Sequence, residues 1–160
     1  MKWLAAAFWV LAAPVAAQEI SFDPSPTTTC IASGGGIACA GRAAQACTEQ
    51  PDAYTTVGMG FCFGAERDWW DDRLNQTYRQ LLRQTRRQDT ELAELGSSLP
   101  PVAPMLQDMQ RAWIPFRDAA CAYEYSTWGG GTGGGPAHAN CMMTLTAEQT
   151  LRLEARLSEQ

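Results

Sequence analysis

Residues 70–78 (WDDRLNQTY) lie at the centre of the part of the chain whose pattern decides the fold. Around this stretch, residues suited to a helix core recur at spacings that mostly keep one face inward. They are Trp70, Leu74, Leu81, Thr85, Leu92 and Leu95. Gly96 follows as a natural C-cap. The pattern therefore predicts a long amphipathic helix over residues 65–95.

Two further helices are predicted downstream. Apolar residues spaced by four, four, three and four indicate the inward face of the first of these helices. They are Met105, Met109, Trp113, Phe116 and Ala120. Pro115 lies inside this stripe and should bend the helix, because proline removes one backbone hydrogen bond. A shorter third helix is predicted over residues 146–157, where Thr146 and Gln149 have the spacing of a capping box.

Residues 129–135 (GGGTGGG) form a glycine-rich stretch between the second and third predicted helices. A phosphate-binding P-loop needs a Lys-Ser/Thr pair that opens a helix, and Lys2 is the only lysine in the chain. We therefore interpret the stretch as a flexible surface excursion. Trp128 and His138 flank it, and they are candidate contacts for a partner if the loop is an insertion element. A surface loop without a partner is the alternative.

The first 17 residues have the order of a secretory signal peptide: a positive start, an apolar run and small residues that end at Ala17. The apolar run is far shorter than the ~20 residues needed to span a bilayer. The first cysteine, Cys30, is not at the junction, so we expect no lipid anchor. Cleavage after Ala17 would leave a periplasmic or secreted protein with no membrane anchor.

The balance of charge is acidic. The chain has 12 lysines and arginines against 17 acids, for a net charge of −5. Such a surface disfavours nucleic acid and anionic membranes as partners and suits a basic protein.

Six cysteines follow the predicted signal peptide: Cys30, Cys39, Cys47, Cys62, Cys121 and Cys141. An even number in an exported chain indicates disulfides, and six cysteines allow about 15 pairings. Loop economy favours Cys30–Cys39, Cys47–Cys62 and Cys121–Cys141. A zinc site is the rival interpretation, but the chain has no CxxC motif and a single histidine. We therefore predict neither a metal nor another cofactor.

These observations predict an all-α fold. We expect a small antiparallel bundle of two long helices and a shorter third over residues 64–160. A disulfide-bridged irregular segment should precede it over residues 18–63, with a short helix near residues 41–47.

Enzymatic activity is not predicted. Glu66, Asp68, Asp71 and Asp72 are numerous enough for a pair of catalytic carboxylates, but acids at a helix start also favour the helix dipole. The chain lacks a GxSxG motif, a cysteine–histidine nucleophile signature and a cofactor fingerprint.

Two segments resemble a known family. Residues 70–78 (WDDRLNQTY) and residues 110–121 (QRAWIPFRDAAC) are similar to the LprI-like family of exported bacterial proteins, which is named for a lysozyme inhibitor. Cys141 and Thr150 fit the C-terminal cysteine and threonine of that family, whereas Gln149 stands where an arginine is usual. The resemblance implies lysozyme or another cell-wall-related protein as partner. An envelope-accessory protein with no lysozyme contact is the competing interpretation.

The polar residues of these segments form two stripes, Asp71, Asn75 and Tyr78 on one helix and Gln110 and Arg117 on the next. If the helices pack antiparallel, Asp71 or Asn75 should meet Arg117 in a partly buried polar network, because an unpaired buried charge is costly. A ligand-binding role for the same residues is the alternative.

Overall fold

This computed structural model describes residues 19–159 of the chain. These residues form five α-helices and one 3-10 turn, joined by short loops. They are α1 (Ser25–Ala32), the 3-10 turn (Gly36–Cys39), α2 (Arg42–Thr48), α3 (Thr56–Glu94), α4 (Val102–Ser126) and α5 (Gly134–Ser158). Within these residues there is no strand and no helix long and apolar enough to cross a membrane. The predicted signal peptide lies outside the described residues.

The predicted long helix is α3, and it begins earlier than the pattern indicated. Thr55 is its N-cap and accepts a hydrogen bond from the Gly58 backbone N–H at 3.1 Å. Glycines in the first turns dilute the hydrophobic pattern, which is why sequence reasoning placed the start at residue 65. Gly58 is required there because a Cβ would collide with the backbone of Ala53. This close approach fixes the path of the chain into α3.

The inward face of α3 runs from Gly58 to Thr85 at spacings of three and four residues. Its predicted members Trp70, Leu74, Leu81 and Thr85 are buried. The prediction is wrong for Leu92 and Leu95, which are 40% and 83% exposed, because the buried face ends at Thr85.

The C-terminus of α3 has the predicted glycine cap. Gly96 adopts a left-handed φ of 75°, its N–H donates to the Ala93 carbonyl at 3.0 Å, and the Ser97 N–H donates to Leu92 at 2.9 Å. This pair of bonds is a Schellman motif. It turns the chain sharply toward α4.

α4 runs antiparallel to α3. Near the turn, the Asp89 carboxylate accepts the backbone N–H groups of Val102 and Ala103, each at 2.8 Å, and so caps the start of α4. At the other end of the contact, Arg117 lies 4.0 Å from Asp71. The predicted antiparallel pair is therefore present.

α5 is antiparallel to α4 and parallel to α3. The Cys121–Cys141 disulfide joins the end of α4 to the start of α5. Farther along α5, Glu154 accepts two hydrogen bonds from the Arg73 guanidinium of α3, at 2.6 and 3.2 Å. These contacts make α5 the helix that packs on both others.

The prediction of a shorter third helix is wrong, because α5 is 25 residues long, like α4. The proposed capping residue Thr146 is instead buried inside α5, where its hydroxyl donates to the Met142 carbonyl at 2.7 Å. Gly134, Gly135 and Pro136 form the first turn of α5, although their composition suggested a loop. Proline is tolerated there because the first N–H groups of a helix have no partner within it.

The inward face of α4 is rotated from the prediction. Met105 and Phe116 are 56% and 62% exposed, whereas Leu106 and Cys121 are buried. Trp113 is half-buried and packs against the core that Leu106 shares with α3 and α5. Pro115 lies inside the helix without ending it, and the bend expected there stays a prediction.

The N-terminal segment is helical, so the prediction of irregular structure is wrong. Its short helices α1 and α2 fall below the length at which a hydrophobic period is visible. The helix expected near residues 41–47 is present as α2. All three disulfides have the pairing that loop economy favoured.

Candidate protein-binding surface

Glu66 holds the N-terminal helices on α3. Its carboxylate is fully buried and accepts hydrogen bonds from the backbone N–H groups of Gly41 at 2.8 Å and Ala44 at 2.6 Å. The hydroxyl of Thr27 donates to it at 2.9 Å. Glu66 therefore caps the start of α2. It lies inside α3 and not at the start of that helix, so the expectation from the sequence is wrong on this point. This arrangement fits a structural carboxylate rather than a catalytic one.

The three disulfides lie at one end of the bundle. Cys47–Cys62 joins α2 to α3, Cys121–Cys141 joins α4 to α5, and Cys30–Cys39 closes the N-terminal segment. We call residues 19–72 and 113–145 the disulfide end, and residues 73–112 and 146–159 the arginine end.

Charge is divided unequally between these two ends. The disulfide end has ten acids and three arginines, a net charge of −7. The arginine end has seven acids and eight arginines, a net charge of +1. The acidity of the chain is therefore concentrated at the disulfide end.

Asp23 contributes to this negative charge. The pKa of its carboxyl is lowered because the Ser25 hydroxyl donates a hydrogen bond to it at 2.6 Å, and the Ser25 backbone N–H donates another at 2.9 Å. Both bonds favour the charged form.

An open cleft of about 660 Å³ lies at the disulfide end between the start of α3, the end of α4 and the start of α5. Its size is within the ~300–1,000 Å³ range of ligand pockets. The residues that line it are mostly apolar: Met59, Phe63, Ala120, Glu124, Trp128, Gly133, Pro136, Ala137, Asn140, Cys141, Thr144 and Leu145. Its open shape and mostly apolar lining suit a protruding part of a protein partner.

Trp128 is held at the cleft by the glycine-rich loop. The loop turns through Gly129 and Gly130, whose φ values of 55° and 84° are left-handed. A Cβ at Gly133 would collide with the six-membered ring of Trp128, so the indole lies directly against the loop backbone. The side chain of Trp128 is still 49% exposed. It therefore presents a partly exposed aromatic surface at a fixed place.

His138, the other loop residue singled out from the sequence, is outside the lining of this cleft. Its ring is half-buried and meets the ring of Tyr125 edge to face, with centroids 6.5 Å apart.

Exposed tyrosines also lie at the disulfide end, and sequence reasoning missed them. Tyr54, Tyr123 and Tyr125 are 73%, 70% and 51% exposed. Tyrosine and tryptophan are enriched at protein interfaces because they bury a large area at low cost in side-chain entropy. The available signal was the run CAYEYSTW at residues 121–128, in which aromatic residues alternate with polar ones.

Three of the five predicted polar residues come together. Asn75 donates to the Asp71 carboxylate at 2.8 Å, and the guanidinium of Arg117 lies 4.0 Å from the same carboxylate. Arg117 also donates two hydrogen bonds to Asp118 and lies 4.9 Å from the centroid of the Trp113 ring. The side chain of Arg117 is only 14% exposed, so α3 and α4 share a partly buried charge cluster.

The other two predicted polar residues lie elsewhere. Gln110 accepts a hydrogen bond at 2.9 Å from the side chain of Gln149, which is 2% exposed. Tyr78 packs on the apolar cluster that includes Leu74 and Leu153. A ligand-binding role for any of these five residues stays a prediction.

Comparison with known proteins gives one family and two relatives. The sequence model described as "Lysozyme inhibitor LprI" matches residues 47–153. An uncharacterized protein of Rhizobium meliloti (strain 1021) is 26% identical over 121 residues, which cover 74% of this chain and 87% of the relative. An uncharacterized 17.7 kDa protein of Rhodobacter capsulatus is also 26% identical over 121 residues, 74% of each chain. No solved structure matches.

Proposed function

We propose that this chain, which belongs to the lysozyme inhibitor LprI family, is an exported module that binds lysozyme and slows its action on the cell wall. The proposal does not require an active site in this chain. It requires a surface that recognises a strongly basic enzyme.

The observation that carries this proposal is the charge of the disulfide end. Its net charge of −7 is more negative than that of the whole chain, −5. The same end also carries exposed aromatic side chains. Opposite charge speeds the encounter of two proteins, while central aromatic contacts slow their separation. We therefore assign the lysozyme-binding surface to the disulfide end, with Trp128 and the cleft as its centre.

Export is part of the same proposal. The signal-like residues 1–17 and three disulfides fit an oxidising compartment, the periplasm or the exterior. Lysozyme acts on the cell wall, which an inhibitor must reach by leaving the cytoplasm.

The test compares two triple variants with the same total charge. The first neutralises acids of the disulfide end, Asp52→Asn, Asp72→Asn and Glu124→Gln. The control neutralises acids of the arginine end, Glu91→Gln, Glu94→Gln and Asp108→Asn. All six side chains are exposed. The two variants therefore lose the same charge from exposed positions at opposite ends of the bundle.

Lysozyme clears a turbid cell-wall suspension, so inhibition is measured as a slower loss of turbidity. Association is measured by surface plasmon resonance. We expect the first variant to associate about tenfold more slowly and the control less than twofold. Raising the salt so that the Debye length falls from ~10 Å toward ~3 Å should weaken wild-type binding. Absence of inhibition by the wild type at either salt concentration would contradict the proposal.

A further inference from the structure

A second concave site lies at the arginine end, where α3, α4 and α5 leave a groove of about 320 Å³. Leu81, Leu106 and Leu153 line it with buried side chains, and Met105 and Met109 line its α4 side. Its size is near the lower end of the ~300–1,000 Å³ range of small-molecule sites, which often lie between the helices of bundles. The groove is thus a small apolar site, separate from the cleft beside Trp128.

Two arginines give this apolar groove one charged edge. Arg152 and Arg156 line it, and they are one turn apart on α5. Arg156 has an exposed ion pair with Glu159 at 2.9 Å, and Arg152 has no ion pair among residues 19–159. The lining contains no carboxylate, so Glu159, which lies outside it, is the one ion-pair partner among the described residues that a ligand would have to displace. A carboxylate at this edge would therefore meet two guanidinium groups, and bidentate pairing favours that match.

We propose that this groove binds a single-chain anionic amphiphile, a fatty acid of medium chain length. The acyl chain would lie against the leucines and methionines, and the carboxylate would lie between Arg152 and Arg156. The difference in charge between the two ends favours an anionic ligand at this groove, because the arginine end has a net charge of +1 whereas the disulfide end has −7. Unbranched methionine side chains can adapt to a flexible chain.

Methionine methyl groups give a direct test with the full exported protein. Met105 and Met109 line the groove, whereas Met59 lines the cleft at the disulfide end and Met143 is buried in the core. Dodecanoate below its micelle concentration is titrated into protein with ¹³C-labelled methionine methyl groups. We expect the signals of Met105 and Met109 to shift with saturation and that of Met59 to stay constant. Shifts centred on Met59 would overturn the proposal.

The charged edge is tested with the variant Arg152→Gln/Arg156→Gln and with neutral dodecanol. We expect the variant to bind dodecanoate about tenfold or more weakly, since hydrogen bonds between charged groups are the strong ones. Dodecanol should bind wild type and variant equally. Arg79→Gln/Arg83→Gln removes two exposed arginines outside the groove, is the matched control and should bind dodecanoate like the wild type. Equal loss in this control would overturn the proposal, because it would reveal a general charge effect.

Chain length tests the apolar part. Affinity should rise about fourfold for each added methylene from hexanoate to decanoate, which is the gain expected for burying one methylene. A constant affinity along this series would contradict burial of the chain.

Two further results would also overturn the proposal. One is a shift of Met105 and Met109 with protein concentration alone, which would place a second copy on the groove. The other is a response only to anionic phospholipid vesicles, which would indicate a membrane contact.

Discussion

The indole N–H of Trp70 donates a hydrogen bond to the carboxylate of Glu66, 3.1 Å away and one turn earlier on α3. Both side chains are fully buried. Glu66 therefore gathers donors from its own helix, from α1 and from the start of α2. The carboxylate that holds α1 and α2 on α3 is therefore also the hydrogen-bond partner of Trp70, the largest fully buried side chain of the core.

Replacing Glu66 by glutamine should lower the free energy of unfolding by about 2–3 kcal/mol, because hydrogen bonds to a charged group are lost. Glutamine keeps the shape but presents an N–H₂ group to the backbone N–H of Gly41 or of Ala44, which are both donors. Urea unfolding followed by circular dichroism measures the change. Exposed Glu148→Gln serves as the control and should unfold like the wild type. A Glu66→Gln protein as stable as this control would show that the carboxylate is not needed to hold α2.

Glu66 also illustrates what sequence patterns could not provide. Its position matches the inward face of α3, one turn before Trp70, yet a carboxylate in that register looks like a surface residue until its partners are known. Those partners are backbone groups 22 and 25 residues earlier in the chain. The hydrophobic period of a helix relates only neighbouring turns, so it cannot indicate such a long-range contact.

Other elements were accessible from the sequence to different degrees. The core stripe from Trp70 to Thr85 and the Gly96 cap follow from local rules, and the structure has both. The face of α4 was misjudged because Met105 and Phe116 fit the helical period as well as Leu106 does. Only the packing of α5, whose first turn has a glycine-rich composition, decides between those two faces. The cleft depends on the same packing, which is why its lining was not foreseen.

Oxidised protein should contain no free thiol, because the six cysteines form three disulfides. Alkylation followed by mass spectrometry should add no label before reduction and six labels after it. Replacing Cys121 and Cys141 together by alanine should lower the free energy of unfolding by about 3 kcal/mol, through the greater entropy of the unfolded chain. Two or more labels before reduction would contradict the three-bridge arrangement.

Arg117 and Asp71 should differ in their effect on stability. Arg117→Gln should lower the free energy of unfolding by about 1–2 kcal/mol, because it removes two hydrogen bonds to Asp118 and the contact with Trp113. Asp71→Asn should change it by less than about 0.5 kcal/mol, since the side chain is 46% exposed and the two charges are 4.0 Å apart. Thermal and urea unfolding measure both variants. If Asp71→Asn were instead the more damaging change, the ion pair would be more important than its geometry indicates.

Gly133→Ala should separate binding from folding at the cleft. A methyl group at this position would collide with the Trp128 ring, so the indole must move from its place at the cleft. We expect inhibition of lysozyme to weaken at least tenfold, since aromatic residues at an interface centre commonly contribute more than about 1.4 kcal/mol. The melting temperature should change little, because Trp128 is half-exposed and outside the core.

Gly135→Ala is the matched control for Gly133→Ala, because a Cβ there meets no atom within 4 Å. It should inhibit like the wild type, and Trp128→Ala should reproduce the loss. If Gly133→Ala and Trp128→Ala both inhibited fully, the binding surface would have to exclude this cleft and its centre would lie elsewhere.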